Sequence, residues 1–130
     1  MKNMRAAGRR MEAENLSLGL YPEGTRSRTG ALGEFRRGTF VLAIETQEPI
    51  IPVAIQGSRS ILTPGSPRIR AGLVSLRVGP QIQTAGLTAA DREPLLREVR
   101  AAVERLLDQG RAGDQAASLN RDPPSPATMS

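Results

Sequence analysis

At 130 residues, with a polar, proline-containing tail, the chain has room for one small domain and not for two. It contains neither cysteine nor histidine, which excludes a disulfide framework, thiolate nucleophiles and thiolate metal sites, and removes the usual general base at neutral pH. The net charge of +5 is uneven: Pro49 to Ala90 holds no acid but includes Arg59, Arg68, Arg70 and Arg77, so that stretch should attract anions.

Residues 2–14 place Met4, Ala7, Gly8 and Met11 at helical spacing with charged residues around them, which predicts an amphipathic helix. Leu16, Leu18 and Leu20 then alternate with Ser17 and Gly19, a period of two that predicts a strand over 16–21, ended by Pro22. A loop follows from Pro22 to Gly33. The pattern from Glu34 or Phe35 to Thr46 predicts a helix packed on a sheet.

The apolar run "PIIPVAI" predicts a buried strand over 50–55 of a mostly parallel sheet, with Pro52 at an edge or a bulge. Gly57 to Gly72 reads as a loop and Leu73 to Val78 as another strand. The clearest helix begins near Thr88 or Asp91, with Pro94 in its first turn and Leu95, Leu96, Val99, Val103, Leu106 and Leu107 on one face. Gly110 is its expected stop. Residues 111–130 read as a disordered tail, which leaves 1–110 as the folded part.

These elements predict an α/β class: an incomplete small sheet of about three strands, mostly parallel, with packing helices. So thin a sheet makes the chain look like part of a larger fold, with apolar sheet surface left exposed.

The chemistry concentrates in "LYPEGTRSRTGALGEFRRGTF", residues 20–40. A strand end followed by Pro-Glu-Gly-Thr-Arg-Ser sits where open α/β sheets bind ligands. Gly24 would let a ligand approach the backbone, Thr25 and Ser27 could donate hydrogen bonds, and Arg26 could grip a phosphate bidentately. Arg36 and Arg37, at a helix start, could add charge to the same anion. The same residues would equally suit a surface turn whose arginines are solvated or paired with Glu23 and Glu34. Tyr21, Phe35 and Phe40 are the only aromatics, so no stacking platform runs along a basic face and nucleic-acid binding is not expected.

In order and spacing, "LYPEGTRSR", "FRRG" and "PIIPVAI" resemble the C-terminal half of the phospholipid and glycerol acyltransferase family, over roughly Met4 to Leu107. The resemblance implies transfer of an acyl group from a thioester, carried by coenzyme A or an acyl carrier protein, to 1-acylglycerol-3-phosphate, giving phosphatidic acid. It implies that Glu23, Gly24, Thr25 and Arg26 hold the acceptor's phosphate and glycerol, with Arg36 at the family's usual lysine and Gly38 at the following glycine. Pro52 and Val53 would shape the pocket. No cofactor beyond the acyl thioester co-substrate is implied.

The family's His-x-x-x-x-Asp element, which deprotonates the acceptor hydroxyl, has no counterpart in a chain without histidine. Glu23, in its arginine-rich setting, would make a poor substitute base. The expectation is an acceptor-binding half, through truncation, a late start or a split gene, inactive alone. The alternatives are a non-catalytic module for anionic lipid or phosphate and, less well supported, a basic nucleic-acid binder. No apolar run approaches the roughly 20 residues of a membrane-spanning helix, and no signal-peptide core is present. The expected setting is cytoplasmic, with peripheral contact at the cytoplasmic face of a membrane.

Overall fold

The computed structural model describes residues 2–24, 31–62 and 65–119. Helix α1 spans Lys2–Glu14 and α2 spans Arg37–Thr46. Strand β1 is Val53–Gln56, α3 is a single turn at Ser58–Ile61 and β2 is Ser75–Val78. A 3₁₀ turn at Ala89–Asp91 leads into α4, Arg92–Leu119.

The first helix packs on the second through Gly8. A side chain there would press on Leu42 and Thr46, with a Cβ only 3.0 Å from each, so the missing Cβ sets how closely the helices approach. Arg5 and Glu45 bridge the same pair at the surface, Nη2 to Oε1 at 2.9 Å. Gln47 closes α2 in a left-handed conformation, and its amide ties that corner to the 84–87 segment, donating to Leu87 O and accepting from Gly86 N–H. Buried Thr84 donates to Glu48 O at 2.7 Å across the same seam.

The sheet corrects the sequence reading. Among the described residues it has two strands, and they run antiparallel, Val53 opposite Val78 through Gln56 opposite Ser75. A parallel pair needs a crossover of a dozen or more residues laid over the sheet, usually a helix. The 57–74 connection supplies only the single turn of α3 and doubles back on itself through a bridge between Leu62 and Ile69. The predicted strand over 16–21 pairs with nothing among the described residues. Leu16, Leu18 and Leu20 are each about half exposed. Alternation specifies a face, whereas a strand also requires a neighbour to take its backbone hydrogen bonds.

Nor is the 50–55 run buried on both faces. Ala54, Gln56, Ser75 and Arg77 face α4, while Val53, Ile55, Leu76 and Val78 stand exposed on the other side. An offset near Pro52 is present: Gly79 N–H donates to Pro52 O in the register of the hairpin, while Ile50 pairs with Ile82, so the extra residue on the second strand lies opposite Ile51.

Thr88 and Asp91 form a capping box, with Thr88 N–H donating to Asp91 Oδ2 at 2.8 Å. Leu95, Val99, Ala102 and Leu106 of α4 are buried. Leu95 and Val99 close a core with Phe35, Phe40 and Ile44. The two phenylalanines stack with centroids 6.3 Å apart.

Gly110 does not stop α4, which runs on to Leu119, so residues 111–119 are helical and do not begin a disordered tail. Residues 120–130 lie outside the described residues. A Cβ on Gly110 would collide with Gln56 Oε1 and stand 3.1 Å from Arg77 Nε. The glycine is there because the helix crosses the polar face of the hairpin at that point. Gln56 Nε2 donates to Leu107 O at 3.0 Å in the same crossing.

Candidate functional site

The two described ends of the segment singled out in the sequence, 20–24 and 31–36, are stitched together. Gly24, in the left-handed region at φ 71°, closes a tight turn by donating its N–H to Tyr21 O. Arg36 N–H donates to Pro22 O at 2.7 Å, bringing the start of α2 beside that turn. Glu23 Oε2 accepts from Gly33 N–H at 2.7 Å. Residues 23 and 33 are thus tied together, and both ends of the intervening loop are held at one place.

Of the predicted site residues, the structure brings Glu23, Gly24, Arg36 and Gly38 into one neighbourhood. A Cβ on Gly24 would collide with the Arg36 guanidinium, so the arginine lies across the bare glycine backbone. Among the described residues that guanidinium makes no hydrogen bond or ion pair, and Arg36 is exposed. Its neighbour Arg37 differs, pairing with Glu93 through Nε at 2.9 Å from Oε1. The two adjacent arginines are therefore not equivalent: one is engaged by α4 and the other is available.

Arg36 occupies the N-cap position of α2 without capping it by its side chain. The first-turn N–H groups of such a helix end carry partial positive charge and lack intrahelical partners. Gly38 lies in that turn, with open space where a Cβ would project, so its small size serves no packing inside the chain and leaves room above the helix end. Thr25 and Arg26 lie outside the described residues.

What this arrangement can do is hold an anion, with a free bidentate donor and a helix N-terminus side by side. It is poorly equipped to move a proton. One Glu23 oxygen is committed to Gly33 N–H, and the chain has no imidazole. Among the described residues no group of three potential metal-ligating side chains occurs, and no helix is long and apolar enough to cross a membrane.

Sequence reasoning missed Arg100. From α4 its Nη1 donates to Gly33 O at 2.5 Å and its Nη2 to Leu32 O at 3.3 Å, while its Cζ sits 5.3 Å above the Phe35 ring. No local motif signals it, because the carbonyls and the ring it meets are more than sixty positions away in sequence. Beside it opens a shallow cavity of about 430 Å³ lined by Glu34, Phe35, Arg37, Glu93, Leu96 and Arg100. Of the three aromatics only Tyr21 is exposed, which leaves no platform on which bases could stack.

Comparison with known proteins bears on the same residues. The family model for acyltransferases matches residues 1–56, the part that carries the stitched loop and α2. Human 1-acyl-sn-glycerol-3-phosphate acyltransferase beta is 42% identical over 91 residues, covering 70% of this chain and 33% of that protein. The 1-acyl-sn-glycerol-3-phosphate acyltransferase of Limnanthes douglasii is 36% identical over 84 residues, covering 65% of this chain and 30% of that protein. The chain thus spans about a third of the length of these curated relatives. The crystal structure of PlsC, the 1-acyl-sn-glycerophosphate acyltransferase from Thermotoga maritima, superposes with a TM-score of 0.74 at 25% identity, over 86% of this chain and 45% of that one. With sequence and fold in agreement, the chain belongs to the acyltransferase family that includes the 1-acyl-sn-glycerol-3-phosphate acyltransferases.

Proposed function

We propose that this chain holds the phosphate of a 1-acylglycerol-3-phosphate acceptor during acyl transfer from an acyl thioester, the reaction that yields phosphatidic acid. The observation that carries the reading is the Arg36 guanidinium, without a partner among the described residues, laid over Gly24 at the start of α2, which no side chain caps. Thr25 and Arg26, in the loop whose ends meet there, would complete the grip.

In the reaction the acceptor hydroxyl attacks the thioester carbonyl. The new C–O ester bond replaces the C–S bond, and the hydroxyl proton ends on the departing thiol. Histidine is the usual carrier of such a proton, and this chain has none. The thiol is that of coenzyme A or an acyl carrier protein.

The acceptor is an amphiphile, so the chain also needs a way to meet a lipid surface. Exposed Ile69 between exposed Arg68 and Arg70, in a connection free of acids, suits the cytoplasmic face of an anionic bilayer. The same patch would serve a non-catalytic binder of anionic lipid.

Co-sedimentation with phosphatidylcholine vesicles separates the readings. Vesicles doped with 1-acylglycerol-3-phosphate are expected to retain the chain, whereas vesicles with the same fraction of monoacylglycerol are not. The double variant Arg68→Ser, Arg70→Ser should lose about tenfold or more in retention, two basic contacts having gone. Equal retention on phosphatidylglycerol vesicles would favour the non-catalytic reading, and equal retention on the monoacylglycerol vesicles would overturn both.

A further inference from the structure

The loop that bears the proposed acceptor site is gripped from behind by a residue of a different element. Gly33 is used at both ends of its peptide chemistry: its N–H donates to Glu23 and its C=O accepts from Arg100. Arg100 also takes Leu32 O, lies over Phe35, and pairs through Nε with Glu104 one turn along α4. Phe35 is buried, and the next residue is Arg36. A single guanidinium thus holds the strap 32–35 that runs into Arg36, at the residue whose N–H donates to Glu23.

Arg100 fits this task because its planar fork reaches two successive carbonyls at once while its face covers an aromatic ring. A lysine ammonium could satisfy one carbonyl but could neither stack nor span both. The Glu104 pair is a half-exposed contact within one helix, of a kind that contributes little by itself. Its role is to aim the guanidinium, and the two carbonyl bonds, charge-assisted and partly buried, carry the connection.

We infer that Arg100 is a positioning residue for the acceptor-phosphate site, holding the 32–35 strap so that Arg36 keeps one arrangement beside Gly24. The inference rests on the reading of Gly24, Arg36 and the start of α2 as part of that site, and it concerns a residue that does not itself touch the ligand. Without Arg100 the strap keeps the Phe35 anchor but loses its carbonyl partners. The strap must then be ordered at each binding event, which weakens affinity without removing any ligand contact.

The experiment uses the full chain, wild type and the variants Arg100→Ala, Arg100→Lys and Glu104→Gln, with two readouts at a temperature where all are folded. These are the exchange rate of the Gly33 amide and the affinity for glycerol 3-phosphate. Arg100→Ala is expected to speed Gly33 exchange and to weaken glycerol 3-phosphate binding, each by about tenfold, the loss of two charge-assisted hydrogen bonds being worth at least that. Arg100→Lys should fall between, and Glu104→Gln should stay close to wild type. Unchanged Gly33 exchange in Arg100→Ala would overturn the inference, as would acceleration of all amides alike, which would mark a general loss of stability. Should the wild-type chain fail to bind glycerol 3-phosphate, the acceptor reading falls, whereas selective acceleration at Gly33 would still establish the clamp.

Discussion

Incubated with acyl-CoA and 1-acylglycerol-3-phosphate, the purified chain is expected to give no thioester cleavage above the uncatalysed background. Removing a general base typically costs roughly 100-fold to 10,000-fold, and here no imidazole exists anywhere in the sequence. Of the carboxylates nearby, Glu23 holds Gly33 N–H and Glu93 pairs with Arg37. Orientation acts on two reactants held together, and the proposed site would hold only the acceptor's phosphate. Thiol release would be followed with a chromogenic disulfide, and the same assay with acyl carrier protein as donor closes the other route. Sustained turnover that depends on both substrates would show that a base has been overlooked.

Replacing Phe40 by alanine is expected to cost about 3–5 kcal/mol, the usual range for deleting a fully buried aromatic side chain. Phe40 is 1% exposed, stacks on Phe35 and sits in the cluster with Ile44, Leu95 and Val99. No other cluster among the described residues joins α2 to α4 in this way, so the cavity would open where the two main helices meet. A small domain has a total stability of about 5–15 kcal/mol, and the open apolar face of the hairpin argues for the lower end of that range. At about 4 °C per kcal/mol for a domain of this size, the thermal midpoint by circular dichroism should fall by about 12 °C or more. Tyr21→Ala, at a residue 80% exposed, should leave it nearly unmoved. Similar midpoints for the two variants would mean that the core lies elsewhere.

The helices were legible because their signals are local. The Met4, Ala7, Gly8, Met11 spacing matches Lys2–Glu14, and the Thr88 and Asp91 pair marks the start of the last helix. The sheet was legible in composition but not in topology. "PIIPVAI" has the look of a strand buried on both faces, yet strand direction depends on the path of the 57–74 connection, which no periodicity reports. Gly110 misled for a related reason. A glycine that ends a helix and one that lets a helix cross a hairpin look alike in sequence, and only the position of Gln56 and Arg77 tells them apart.

At the site, Gly24 and Arg36 could be picked out because the motif places them. The division of labour between Arg36 and Arg37 could not, since it turns on Glu93 from a distant helix. Arg100 was invisible for the same reason: its function lies in carbonyl groups more than sixty residues back.

The proposed acceptor-phosphate site depends on Arg36, whose guanidinium has no partner among the described residues. Calorimetric titration of the chain with glycerol 3-phosphate, beside Arg36→Ala, tests it most directly. The wild type should bind saturably, and the variant should bind about tenfold or more weakly, because hydrogen bonds from a charged donor are worth about 1.5–3 kcal/mol. Equal affinity in the two, or no saturable binding by the wild type, would contradict it.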